Sequence, residues 1–223
     1  MKLIAIDGAC YHNGKPDSVA CGAFVALDND AEVRVVREDL KHTTLIEEGG
    51  TNQRGELLGL IAALKYIRDC PGNFLVVTDS EYIFNAMTKD WVHNWRSNHW
   101  LTAAGETVKN IDLWKQIYEL KCEVERVCED APCFYHLKGH IISFGAVTRQ
   151  RLLEADPTGF DLMLALINKF DTDLHARQKE VEKAQACSVK NNGFELSPGQ
   201  LKRFVILNML ADSFASNTIE KYK

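Results

Sequence analysis

Residues 51–70, TNQRGELLGLIAALKYIRDC, followed by Pro71-Gly72 and then FLVVTDS, restrict the fold of this chain more than any other stretch. Leu57, Leu60, Ile61, Leu64 and Ile67 recur at helical spacing. Thr51 or Asn52 can cap the start of that helix, and Pro71-Gly72 stops it. FLVVTDS is a short apolar run that suits a buried strand closing at Asp79-Ser80, and EYIFNAM opens a second helix. This alternation calls for a sheet with helices packed on it.

Upstream, three strands are predicted: residues 2–9, with Asp7 at the end of the first strand, then residues 20–28, then 32–40 (EVRVVREDL), which alternates polar and apolar. Short links between them, including the turn-rich YHNGKPDS, make an antiparallel meander. Downstream, VKNIDLWKQIYELKCEVERV has an amphipathic face through Ile111, Trp114, Ile117, Tyr118 and Val124, and CFYHLK reads as a fifth strand closed by Gly139-His140. From 141 to 207 the pattern is mostly helical, and Ser197-Pro198 is a good helix start. The expected fold class is α/β, a five-stranded mixed sheet with helices packed on it plus a mostly helical insertion near the C-terminus.

The hydrophobic fraction of 46% is enough for a real core. No apolar run is long enough to cross a membrane, and MKLIAIDGAC reads as a strand rather than a signal peptide. Seven cysteines with no CxxC pair suggest reduced thiols in a cytoplasmic protein, not a zinc site. A net charge of −5 argues against coating nucleic acid by bulk attraction but leaves room for a local groove. Residues 90–100, DWVHNWRSNHW, hold three of the four tryptophans in a polar setting.

Asp7 ends the first strand, Glu56 sits one to two turns into the first helix, Asp79 ends the fourth strand and His140 follows the fifth; strand ends bring side chains to one edge, where α/β sheets build sites. Three carboxylates brought together would repel one another without a cation, and Mg²⁺ prefers oxygen ligands. Taken singly, each has a plainer reading as a turn, surface or loop residue. Their order and neighbours carry more weight.

IDGAC…N, TNQRGELLGLIAAL, VVTDSEYI, WVHNW…W, VKNIDLW and KGH occur in that order through residues 1–140. In this the chain resembles type 1 ribonuclease H. The resemblance implies a metal-dependent endoribonuclease that hydrolyses the RNA strand of RNA/DNA hybrids and leaves 5′-phosphate and 3′-hydroxyl ends. It implies two Mg²⁺ ions with substrate, with Mn²⁺ able to substitute. Asp7, Glu56 and Asp79 match the family's metal-binding carboxylates, and His140 matches the histidine that assists proton transfer or product release. Asn13, Asn52 and Gln53 would read the RNA strand, helped by Ser80 and the backbone near Cys10. Trp91 would pack on deoxyribose, while Trp95, Trp100 and Trp114 would pack the protrusion onto its own base. Thr51, Arg54 and Asn110 are the candidates for a DNA phosphate. The protrusion, 89–110, is only weakly basic at net +1, so hybrid binding is expected to be modest and salt-sensitive.

The family's fourth carboxylate follows its histidine closely, and here no acid does. Asp212, four residues after Asn208 in NMLADSFAS, is the best match; Asp156, followed by Pro157, is the alternative. The expected organisation is one domain over 1–223, with 141–205 an insertion that packs on the domain or offers a protein-partner or substrate surface. The chain is expected to act as a monomer, away from membranes. Two rival functions are a hybrid-binding module that has lost turnover and a related metal nuclease with another nucleic-acid substrate.

Overall fold

The computed structural model describes residues 1–28, 36–139, 141, 144–173, 178–193 and 196–222. Five strands, β1 (Lys2–Tyr11), β2 (Val19–Leu27), β3 (Leu40–Glu48), β4 (Phe74–Thr78) and β5 (Cys133–His136), form one sheet in the order β3-β2-β1-β4-β5. The first three pair antiparallel; β4 and β5 run parallel to β1. Parallel pairing demands crossovers. These are supplied by α1 (Asn52–Asp69) and by the run α2 (Glu81–Thr88), α3 (Trp91–Ser97) and α4 (Ile111–Val127).

Strand alternation sorts the core into two layers. Ile4, Ile6, Phe24 and Val76 pack under α1 and α4, together with Leu57, Leu60, Ile61, Leu64 and Trp114. Ala5, Val25, Val77 and Tyr135 face the other way, where α8 (Pro198–Ile219) lies with α5 (Ala146–Ala155), α6 (Phe160–Asp173) and α7 (Gln178–Asn192). Ser197 caps α8 in a reciprocal capping box with Gln200, and Pro198 takes the first helical position, as expected. The helix that carries Asp212 therefore begins seven residues before the expected end of the insertion at 205.

Two expectations need correction. The third strand lies at Leu40–Glu48, not 32–40: Arg37–Asp39 is a 3-10 turn, and 29–35 fall outside the described residues. The meander is also less tight than expected, since Leu27 pairs with Leu40 across a long link. β3 is an edge strand whose middle is Lys41, His42, Thr43 and Thr44, so its apolar alternation is weaker than that of the segment before it. Asp7, in turn, does not end its strand. β1 continues to Tyr11 because β2 pairs with it along its whole length, whereas β4 stops at Thr78.

Candidate active site

The parallel register builds the centre of the site. Ala5 pairs with Val77, so two residues on, where β4 has just ended, Asp79 comes beside Asp7 on the face covered by α8. Glu56 arrives from α1. Gly8 and Gly22 allow this helix to touch the sheet backbone to backbone. A Cβ on Gly8 would overlap the main chain of Gly55 and Glu56, and one on Gly22 would overlap that of Gly59. The helix thus lies close enough for Glu56, in its second turn, to reach the strand carboxylates. Asp7, Glu56 and Asp79 each offer an oxygen within 4.8 Å of the others.

This arrangement is electrostatically costly. Burial, then the charges of Glu56, Asp79 and Asp212, push the Asp7 carboxyl well above the usual range, against one N–H donated by Gly8 at 2.7 Å. Burial, then Asp79 and Asp212, raise Glu56 likewise. Glu56 Oε2 is buried with no hydrogen-bond donor among the described residues. An all-oxygen cluster with mutual repulsion and an orphaned carboxylate oxygen fits a hard divalent cation.

Asp212 approaches from α8, close enough to act on both Asp7 and Glu56. Its Oδ2 accepts from Arg149 Nη1 of α5 at 2.5 Å, and its Oδ1 from Ser216 Oγ at 3.0 Å. Asp156 is engaged elsewhere. It caps the end of α5, pairs with Arg37, and accepts from Thr158 Oγ1 at 2.6 Å and from Asp161 N–H at 3.0 Å. His140 lies outside the described residues; Gly139 before it runs against the Asp79 carboxylate, where no Cβ would fit.

The other predicted residues gather around the start of α1 and the protrusion. Asn13 Oδ1 accepts from Asn52 N–H at 3.2 Å. Thr51 caps α1 by accepting from Arg54 N–H, and Ser80 caps α2. Asn110 Nδ2 donates to Gln53 Oε1 at 3.0 Å, which ties the start of α4 to α1. Arg54 already has acceptors for its whole fork: two bonds to Glu47 at 2.7 and 2.6 Å, two to Asp112 at 2.9 and 2.5 Å, and one to the amide Oδ1 of Asn110 at 3.4 Å. Trp114 and Trp100 are buried, and Trp114 Nε1 donates to Tyr82 Oη at 2.7 Å. Trp91 and Trp95 are half-buried, their rings 6.0 Å apart, beside a cleft of about 430 Å³ that Asn94 and Asn98 also line.

Sequence reasoning missed Arg149, Glu47 and Asp112, the charged partners of Asp212 and Arg54, and also His136, whose Nε2 lies 3.2 Å from the Asp79 carbonyl oxygen. All of these contacts are long-range or between different elements, and no short motif marks them. Asp112 alone had a signal, its place inside VKNIDLW.

No helix among the described residues is long and apolar enough to cross a membrane. A family model described as RNase H matches residues 2–141. Ribonuclease H of Caldicellulosiruptor saccharolyticus is 38% identical over 117 residues, which cover 52% of this chain and 72% of that protein. Ribonuclease H of Chlorobium phaeobacteroides is 35% identical over 137 residues, covering 61% and 82%. The solution structure of the PFV RNase H domain aligns with a TM-score of 0.50 at 23% identity, over 70% of this chain and 90% of that one, a likeness of fold alone.

Proposed function

This chain belongs to the ribonuclease H family, and from that premise we propose how its own residues hydrolyse the RNA strand of RNA/DNA hybrids. The observation that carries the reading is the meeting of Asp7, Glu56 and Asp79 within 4.8 Å of one another in a buried, mutually repelling cluster. These three would hold the divalent cation, Mg²⁺ by the hardness of their oxygens, with Asp212 as the fourth carboxylate. Asp212 is favoured over Asp156 because its charge acts on Asp7 and Glu56, while Asp156 is consumed by Arg37, Thr158 and Asp161. Two Mg²⁺ ions bound there with substrate would supply charge neutralisation at the scissile phosphate and a more acidic water.

The protein's own part is to hold and to discriminate. Asp7 and Glu56 are rigid because their backbones lie on the β1–α1 contact, so the site is formed before substrate arrives. The amides of Asn13, Asn52 and Gln53, clustered at the start of α1, suit 2′-hydroxyls, which both donate and accept. Ser80 adds a hydroxyl at the start of α2. The half-buried Trp91 offers an apolar face to deoxyribose, where a 2′-hydroxyl would clash. Thr51 and Asn110, with Arg54, receive a DNA phosphate. His140, outside the described residues, takes the place of the family's histidine that assists proton transfer or product release.

We read residues 1–223 as one domain in which the helices after β5 elaborate the α8 face. We read the chain as a monomer. Seven free thiols support a cytoplasmic protein.

The test is cleavage of an end-labelled RNA/DNA hybrid in Mg²⁺ by wild type and Asp79→Asn. Wild type cuts the RNA strand. Loss of one ligand lowers kcat by about 10³-fold or more while the variant stays folded. Full activity in Asp79→Asn would remove the cation site from this cluster. Duplex RNA and duplex DNA run alongside should remain uncut.

A further inference from the structure

The β4–β5 ladder ends where Thr78 pairs with His136, and Leu137 N–H closes it on the Thr78 carbonyl at 2.9 Å. The next peptide, after Asp79, must turn into α2. Its carbonyl finds a donor in a side chain, since His136 Nε2 lies 3.2 Å from Asp79 O. A carbonyl only accepts, so the ring proton sits on Nε2. On the other side of the ring, Nδ1 lies 2.7 Å from Asn191 Nδ2 of α7, an amide nitrogen that only donates. Both contacts require the same neutral tautomer, Nε2–H with a lone pair on Nδ1.

His136 is buried, and α7 grips its backbone as well. Asn192 Oδ1 accepts from His136 N–H at 2.8 Å, and Asn192 Nδ2 donates to His136 O at 2.9 Å. β5 is the last strand of the sheet. At this residue Asn192 stands where a sixth strand would pair.

We propose that Asn191 and His136 are positioning residues for Asp79. Asn191 fixes the His136 tautomer, and the Nε2–H then anchors the Asp79 peptide and so aims its carboxylate at the cation. A carboxylate one carbon from its backbone follows any rotation of that backbone. Helix α7 lies outside the residues the family model matches, yet the inference gives it a part in the reaction. It rests on the reading that Asp79 holds the cation.

The experiment uses the full chain and three readouts. Nitrogen-15 spectra of the histidine rings should show the Nε2–H tautomer at His136 in wild type and a mixture in Asn191→Leu. Substituting an orienting group of this kind costs about 10- to 100-fold, so His136→Leu should lose that much in kcat and in Mg²⁺ affinity titrated without substrate. KM for hybrid should stay within about twofold, since substrate binding is untouched. His136→Gln can restore the donor through its own amide and should recover most of both losses. An Nδ1–H tautomer in wild type overturns the proposal. So do wild-type kcat and Mg²⁺ affinity in His136→Leu, or a His136→Gln variant as impaired as His136→Leu. Should His136→Leu not fold, Asn191→Leu must show the lower Mg²⁺ affinity, and a wild-type value there also overturns it. Full activity in Asp79→Asn, with the tautomer unchanged, would instead defeat the underlying cation reading.

Discussion

Asp7 and Glu56 hold more charge in a smaller, drier space than the fold can make comfortable. Each carboxyl is raised by burial first and acidic neighbours second. An acid whose folded value exceeds its unfolded one binds its proton more tightly in the native state. Its stabilising contribution is complete below the unfolded value, about 4 for these residues, and is lost as pH rises through the folded value. In a chelator, wild-type stability should therefore fall, relative to Asp7→Asn, as pH climbs from about 4 towards neutrality. Urea denaturation of both proteins across that range measures the difference. Added Mg²⁺ should reverse it at neutral pH, because a cation that binds only the native state stabilises that state. A flat wild-type minus variant curve would mean the two carboxylates are better solvated than their burial implies. Arg149 forms an ion pair with Asp212 at 2.5 Å.

The element that sets the geometry is α1, through its contact with β1 and β2. Gly8 and Gly22 on the strands meet Gly55 and Gly59 on the helix, and no side chain fits between them. Gly8→Ala must push the first turns of α1 outward. Overpacking against main chain that cannot yield costs about 3 kcal/mol, and Glu56 moves away from Asp7 with the helix. The expected outcome is a stability loss of that order by denaturant melts, together with weaker Mg²⁺ binding in the protein that remains folded. The helix itself was plain in the sequence, because Leu57, Leu60, Ile61 and Leu64 repeat with helical period. So were β4, α4 and the capped start of α8, while the three central carboxylates stood out only through their order and neighbours. The edge strand β3 was not. Its Lys41, Thr43 and Thr44 give little apolar alternation, whereas EVRVVREDL alternates more cleanly in sequence. Asp212 was legible only by likeness to the family, since its distance along the chain from Asp79 says nothing of its distance in space. The ties of Arg149, His136, Asn191 and Asn192 join elements far apart in sequence, and no local pattern encodes them.

At the scale of the whole molecule the question is how a chain of net charge −5 holds a polyanion. Phosphate contacts dominate nucleic-acid affinity, so the cations beside the start of α1 matter. Arg54 is the best placed, yet its fork is bidentate to Glu47 and bidentate to Asp112. A carboxylate and a phosphate compete for the same geometry on a guanidinium. Glu47 is the more sheltered of the two acids, and Asp112 is the exposed one, its side chain 58% accessible. If Arg54 receives a DNA phosphate as proposed, Asp112 competes for that position and binding displaces it. Asp112→Asn removes that competitor and leaves Arg54 held from below by Glu47. Hybrid affinity should rise several-fold at low salt, and the slope of log affinity against log salt should steepen by about 0.9, the value of one added phosphate contact on duplex DNA. Fluorescence anisotropy with a labelled hybrid across a salt series, in Ca²⁺ to prevent cleavage, measures both. An unchanged slope would show that Arg54 serves only to join β3 to α4. Wild type, with that site self-neutralised, should bind hybrids modestly and with a shallower salt slope than Asp112→Asn, and weak binding suits an enzyme that must leave each cut product.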